Sequence, residues 1–241
     1  MSGHSKWAKL KHVKGVLDAK KGALFSKLSH LIAVAAREGD NPETNFKLRI
    51  AIEKAKKANM PKENIERAIL RGSGKIEGAQ IEEVLYEVFL PKGVALIIEA
   101  LTDNKNRTTN NLRRILNKYQ GNIASAGSVT WMFERKGILK ITDLSQIKNF
   151  GLENFELKVI DLGAEDIAEE KDEISIYTKP ENLQKVKEEL EKEGFKIDYA
   201  EIEWFAKNPI EIDEETQKKI DQLFNELDED PDISDYFTNI K

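Results

Sequence analysis

The chain has 241 residues, 40% apolar and 34% charged, with no cysteine and a formal net charge of −5. No apolar run reaches the roughly 18 residues of a membrane span, and MSGHSKWAKL lacks the apolar core of a secretory signal, so a cytoplasmic protein with no membrane partner is expected. The missing cysteines exclude disulfides, thiolate nucleophiles and Cys-ligated zinc or iron–sulfur centres.

The charge is unevenly distributed. Residues 1–75 carry 17 Lys/Arg against 7 Asp/Glu, residues 76–133 carry 6 of each, and residues 134–241 carry 15 against 30. A basic module on an acidic body points to a polyanionic partner at one end, the bland alternative being an unevenly charged solubilising surface.

From Ala23 to Arg37, Leu24, Leu28, Leu31, Ile32 and Ala35 recur at helical spacing, with Lys27, His30 and Arg37 on the opposite side. A second helix is expected over 43–58, with Leu48, Ile52 and Ala55 inward. Asn59 reads as the N-cap of a third, with Pro61 in its first turn and Ile65, Ala68 and Ile69 on its apolar face. Three such helices share a core that none could form alone. The glycines of Arg71-Gly72-Ser73-Gly74 read as a joint, and Arg71 to Lys75 as a hinge.

Strands are expected at 84–90 and 94–101, turning at Pro91-Lys92-Gly93, followed by a helix over 104–119 capped by Asp103 or Asn104. Gly127 to Phe133 alternates as a strand, and Trp131-Met132-Phe133 reads as core or domain-interface material. A second α+β unit follows, with a strand at 138–141, a helix near Leu144–Phe150 and a strand at Glu173–Tyr177. Pro180 opens a helix that buries Leu183, Val186 and Leu190, Gly194 closes it, and Phe195–Ile202 returns as a strand. The tail holds a helix at Glu214–Leu227 and a strand at Ile233–Phe237. The acidic runs at 165–173 and 226–235 read as solvated loops and helix faces. The class is therefore α+β and multidomain.

No enzyme is visible. His4, His12 and His30 lie 8 and 18 residues apart, a spacing that fits no short metal motif, and Arg71-Gly72-Ser73-Gly74-Lys75 lacks the spacing of a phosphate loop. No cofactor or metal is expected. Lys6, Lys9, Lys11 and Lys14 form instead a phosphate-neutralising tract around Trp7 and His12. Trp7 either stacks on a base or pins the arm to the helices. Lys20, Lys21, Lys27 and Arg37 extend the patch, and the excess of lysine over arginine favours backbone attachment over base reading. On the 104–119 helix, Arg107, Asn111, Arg114 and Lys118 fall in one row, able to follow a phosphate backbone or to serve as the wet face of a covering helix.

Five ordered blocks carry a resemblance. GHSKWAKLKH at 3–12, DAKKGALFSKL at 18–28, NMPKENIERAI at 59–69, LTDNKNRTTNNLRR at 101–114 and GSVTWMFERKG at 127–137 are similar to the signature blocks of the YebC/PmpR family. Gly163-Ala164-Glu165-Asp166 and Thr178-Lys179-Pro180-Glu181 match more loosely. The resemblance implies a basic helical domain (1–75), a central α+β domain (76–134 plus 205–241) and a ferredoxin-like α+β domain (135–204) inserted into the central one. It also implies a non-enzymatic regulator. Bacterial members are probable transcriptional regulators that bind DNA, organellar relatives activate translation, and some bacterial members act with ribosomes on proline-rich stretches. Duplex DNA, ribosomal RNA and a basic protein docked on the acidic half all stand as candidate partners. Arg113 joins Arg107 and Arg114 as a matching residue of the helix block. Ala23, Val13 and Ser29-His30 depart from the family's more basic pattern.

Overall fold

The computed structural model describes residues 18–170 and 172–241, with side chains from Lys21 onward. The described residues up to Met132 form one compact unit with Ala206–Lys241, and Phe133–Phe205 form a second.

Three helices open the first unit: α1 (Asp18–Ala35), α2 (Phe46–Lys57) and α3 (Lys62–Gly72). Leu28, Ile32 and Ala35 of α1 meet Leu48, Ile52 and Ala55 of α2 and Ile65 and Ala68 of α3 in one apolar core. Asn45 joins the first two helices. Its side-chain oxygen caps α2 by accepting from the Leu48 N–H at 3.0 Å, and its amide donates to Ala35 O at 2.8 Å and Gly39 O at 2.7 Å. Asn59, the expected cap of α3, instead has φ +57 and lies in the turn that ends α2, its N–H donating to Lys56 O. The α3 N-cap is Pro61, which offers no side-chain acceptor.

A four-stranded sheet follows, ordered β3-β1-β2-β8, from β1 (Glu82–Phe89), β2 (Ala95–Thr102), β3 (Asn122–Ile123) and β8 (Ile233–Thr238). All its pairings are antiparallel. Alternate residues of β1 and β2, including Val88, Leu96 and Ile98, pack against Leu112, Ile115 and Leu116 of α4 (Lys105–Lys118) and Leu223 and Leu227 of α8 (Glu214–Glu229). The tail thus supplies both a helix and an edge strand to a sheet begun more than a hundred residues earlier.

Residues 127–132 are not a strand. Thr130–Met132 is a single 3-10 turn, and β4 begins only at Phe133. The cause is Glu87, 4% exposed, whose carboxylate accepts from the N–H groups of Gly127 (2.6 Å), Val129 (2.5 Å) and Thr130 (2.9 Å). Those amides, turned toward one carboxylate, are unavailable to a ladder.

The second unit runs β4 (Phe133–Ile141), α5 (Leu144–Phe150), α6 (Leu152–Leu162), β5 (Ala164–Glu169), β6 (Ile174–Thr178), α7 (Leu183–Lys192), β7 (Tyr199–Ala206). Its strand order β5-β6-β4-β7 gives the ferredoxin-like arrangement, with α5 and α6 together filling the first crossover. Phe155 of α6 packs edge-on to Phe195 at 5.1 Å between centroids. In this unit α6 and β5 are additional to the expected elements, and in the first unit β3 is additional. Strand β5 takes up the first part of the acidic run 165–173, expected as loop or helix face. No described helix is long and apolar enough to cross a membrane.

The joint at Arg71–Lys75 differs from the expected hinge. A Cβ on Gly72 would lie 2.1 Å from Ala33 O, so this glycine permits close approach of α3 to α1 rather than freedom. The joint is also braced. Arg71 Nη2 donates to Ala79 O at 2.8 Å, Lys75 pairs with Asp40, and the Ser73, Gly74 and Lys75 N–H groups all find carbonyls in the last turn of α3. Gly72→Ala is therefore expected to destabilise the protein by about 1–3 kcal/mol through overpacking, measured by denaturant unfolding. A hinge glycine would accept alanine with little change.

Candidate nucleic-acid interface

A lysine or arginine can hold a phosphate only where its charge is not already answered within the protein, so the partners of each expected cation decide its role. Lys6, Trp7, Lys9, Lys11, His12 and Lys14 lie outside the described residues, as does the side chain of Lys20. Lys21 is exposed on α1, with its ammonium 5.9 Å from the Phe25 ring centroid. Arg37 is exposed just past the end of α1.

Lys27 does not join them. It is 5% exposed, and its Nζ donates to Leu227 O at 3.2 Å and Asp228 O at 2.8 Å. The last carbonyls of a helix lack intrahelical donors, and a cation placed there also answers the negative end of the helix dipole. The polar side of α1, expected to face solvent, is turned here toward the C-terminal end of α8. His30, one turn on, follows it: its Nδ1 lies 2.9 Å from Leu101 O, which makes Nδ1 the protonated nitrogen.

The row on α4 is built around a buried acid. Asp232, with its side chain 2% exposed, accepts from Arg107 Nη2 at 2.8 Å and Nε at 3.2 Å, and from Thr108 Oγ1 at 2.7 Å. Asp103 takes a further Arg107 contact at 3.0 Å and faces Arg71 at 3.5 Å. Asn104 caps α4 by accepting from the Arg107 N–H. Hydrogen bonding to Asp232 raises the Arg107 pKa above the ordinary arginine value. At the other end of α4, Lys118 pairs with Glu226 at 2.6 Å. Tyr119 also donates to Glu226, at 2.8 Å, and burial with that hydrogen bond pushes its hydroxyl up to about 12.

Of the four residues expected in one row, Arg107 and Lys118 are thus ion-paired, Asn111 is half-buried, and Arg114 is exposed. Arg113 and Arg114 have no ion-pair partner among the described residues. Periodicity puts the four residues on one side of the helix but could not show that two of them are answered by acids more than a hundred residues away. Beyond the expected list, α2 ends on Lys54, Lys56 and Lys57, a basic last turn suited to the helix dipole. Among the described residues, no group of three or more His, Asp or Glu is placed to hold a metal ion.

Comparison with known proteins accounts for nearly the whole chain. The family model described as the TACO1/YebC protein N-terminal domain matches residues 5–75, and that described as the TACO1/YebC second and third domain matches residues 81–240. A protein of Pseudothermotoga lettingae named "Probable transcriptional regulatory protein" is 50% identical, over 100% of this chain and 94% of its own. One of the same name from Thermotoga maritima is 48% identical, over 100% of this chain and 94% of its own. Among solved structures, that titled "Crystal Structure of a Conserved Hypothetical Protein Aq1575 from Aquifex Aeolicus" superposes with a TM-score of 0.83 at 47% identity, covering 98% of this chain and 96% of that one.

His30 supplies a pH dependence. Burial lowers its pKa below 6.5, outweighing the Leu101 carbonyl and the nearby Asp232 and Asp103 carboxylates, which raise it. The unfolded chain therefore takes up this proton at a higher pH than the folded protein does. Stability falls as pH drops below 6.5, until the folded histidine is itself protonated. His30→Gln, which keeps a side-chain donor, is expected to flatten the loss of stability between about pH 7 and pH 5.5 in denaturant titrations.

Proposed function

Because the chain belongs to the TACO1/YebC family, we propose that it is a non-enzymatic regulator that binds nucleic acid through its N-terminal helical module. One observation carries this: the 17 Lys/Arg against 7 Asp/Glu of residues 1–75. Lys21, Arg37, Lys56 and Arg67 of that module are exposed and have no ion-pair partner among the described residues. DNA is the first partner we propose, in keeping with relatives named probable transcriptional regulatory proteins. The chain is divided into the helical module (1–75), a central domain (76–134 plus 205–241) and an inserted domain (135–204). The binding surface comprises Lys6, Trp7, Lys9, Lys11, His12, Lys14, Lys20, Lys21 and Arg37. Lys27, held by the end of α8, anchors the module instead of contacting phosphate.

A second reading, structured ribosomal RNA, draws support from Arg113 and Arg114, which present charge from α4 outside the helical module. Folded RNA exposes phosphates on several surfaces at once, so a two-element contact suits it better than it suits a duplex.

Replacing Lys6, Lys9, Lys11 and Lys14 with Glu should weaken binding to unrelated sequences without unfolding the protein. It should also lower the slope of log affinity against log salt by roughly 0.9 per lost contact. Unchanged affinity and slope in a folded variant would remove the basis for the proposal. Arg113→Glu with Arg114→Glu separates the two partners. Loss of ribosome pelleting with intact DNA binding identifies ribosomal RNA, and intact pelleting leaves DNA.

A further inference from the structure

Trp131 is 65% exposed, although its segment read as core or domain-interface material. Its loop is nonetheless tightly held. The buried Glu87 carboxylate gathers the Gly127, Val129 and Thr130 N–H groups, and the Thr130 hydroxyl lies 3.5 Å from the same carboxylate. Burial raises the pKa of Glu87, but these hydrogen bonds outweigh it and hold the carboxylate below its usual range, so it stays charged. On the far side of the loop, the Lys207 N–H donates to Met132 O at 2.9 Å and its Nζ to Trp131 O at 2.9 Å. An indole is thus held out in water on a loop fixed from both sides.

The state of the indole N–H limits what can cover it. Trp131 Nε1 donates to Ser128 O at 2.9 Å, within its own loop. A tryptophan at a protein interface offers an apolar body together with a polar N–H that finds a partner on burial. Here the N–H is already satisfied, and what remains for a ligand is the flat π face. At the backbone of the same residue, the Lys207 ammonium spends one of three donors on the Trp131 carbonyl and keeps two for an anion. An exposed aromatic ring with a cation held at the same residue's backbone supplies the two elements that single-stranded nucleic acid uses: a base stacks and a nearby phosphate meets the charge.

We propose that Trp131 is a stacking platform for an unpaired nucleobase, with Lys207 contacting the phosphate beside it. This rests on the nucleic-acid reading above and deepens it, because it names an unpaired stretch as the ligand at a site separate from the lysine tract. A base inside a duplex has both faces covered by its neighbours, so duplex contributes nothing here.

The test uses the full chain labelled with fluorotryptophan. The 19F resonance of Trp131 is assigned from a Trp131→Phe variant, and the probes are oligo-deoxythymidine, oligo-uridine and a duplex of equal length. Single strands should shift the Trp131 resonance, and duplex should leave it in place. Trp131→Ala should weaken single-strand binding roughly five- to a hundredfold and change duplex binding less than about twofold, with Trp131→Phe restoring most of the loss. Because the ring is exposed and contributes a single hydrogen bond to its loop, the alanine variant should fold, which its thermal unfolding checks. If strands bind but the resonance does not move and Trp131→Ala binds as well as wild type, the stacking proposal is overturned while the nucleic-acid reading stands; a protein contact is then the remaining role for the ring. If the wild type binds neither strand nor duplex, both fall.

Discussion

The Asp232 carboxylate, nearly sealed from water, takes hydrogen bonds from Arg107 and Thr108 of α4, while its own N–H donates to Asp230 Oδ1 and its carbonyl receives the Leu101 N–H. A buried carboxylate is tolerated only when nearly all its acceptor capacity is used, and this one is surrounded by donors from α4. That demand fixes the end of α8 and the start of β8 against α4 and β2. It also sets where the N-terminal helices dock. Lys27 reaches the carbonyls at the end of α8, and His30 reaches the carbonyl of Leu101, the residue whose N–H meets the Asp232 carbonyl. The seating of the N-terminal helices therefore depends on the last part of the chain being in place. Long-range closures of this kind fold late and cooperatively.

This changes the meaning of the uneven charge. Residues 206–241 hold 11 Asp/Glu and 4 Lys/Arg, and in chain order they belong to the acidic half. In space they answer cations of the first unit: Asp232 neutralises Arg107, Glu226 neutralises Lys118, and Asp213 pairs with Lys92. The acidic tail is in part an internal counter-charge, and its acidity is not simply surface held away from a polyanion. The α4 row loses both ends to this compensation. Arg113 has no ion-pair partner among the described residues, whereas Arg114 lies close enough to Glu226 to help lower its pKa.

Periodicity disclosed most of the elements, since a stripe such as Leu183, Val186, Leu190 or the alternation in Val84, Tyr86, Val88 is a local property of the chain. The failures share a cause in distance or in masking. Nothing near Glu87 announces that its carboxylate will gather amides forty residues later and turn an expected strand into a loop. Nothing near Lys27 announces the end of a helix two hundred residues on. Helix α6 was hidden because the exposed Leu157 and Ile160 stand among the polar Glu153, Asn154 and Asp161, blurring the stripe formed by the buried Phe155 and Val159. Strand β5 was hidden by its composition: Ala164–Glu169 carries three acids on a sheet edge, where charge is common because it discourages further pairing. In the candidate site, residue type and helical face were legible, whereas the neutralisation of each charge was not.

The blocks that carry the family resemblance each do two jobs. Within residues 101–114, Thr102, Asn104, Arg107 and Thr108 build the Asp232 site and cap α4, while Arg113 and Arg114 face outward. Within 127–137, Gly127, Val129 and Thr130 are held by Glu87, while Trp131 projects. Within 18–28, Leu28 packs into the helical core and Lys27 caps α8, while Lys21 stays exposed. Each block thus fixes its own backbone through buried partners and presents one or two side chains from that fixed base. Side chains presented this way lose less conformational freedom on association than the same residues on a loose loop, so more of the contact energy survives as affinity. The buried carboxylates of Asp232 and Glu87 thus hold the start of α4 and the Trp131 loop in place.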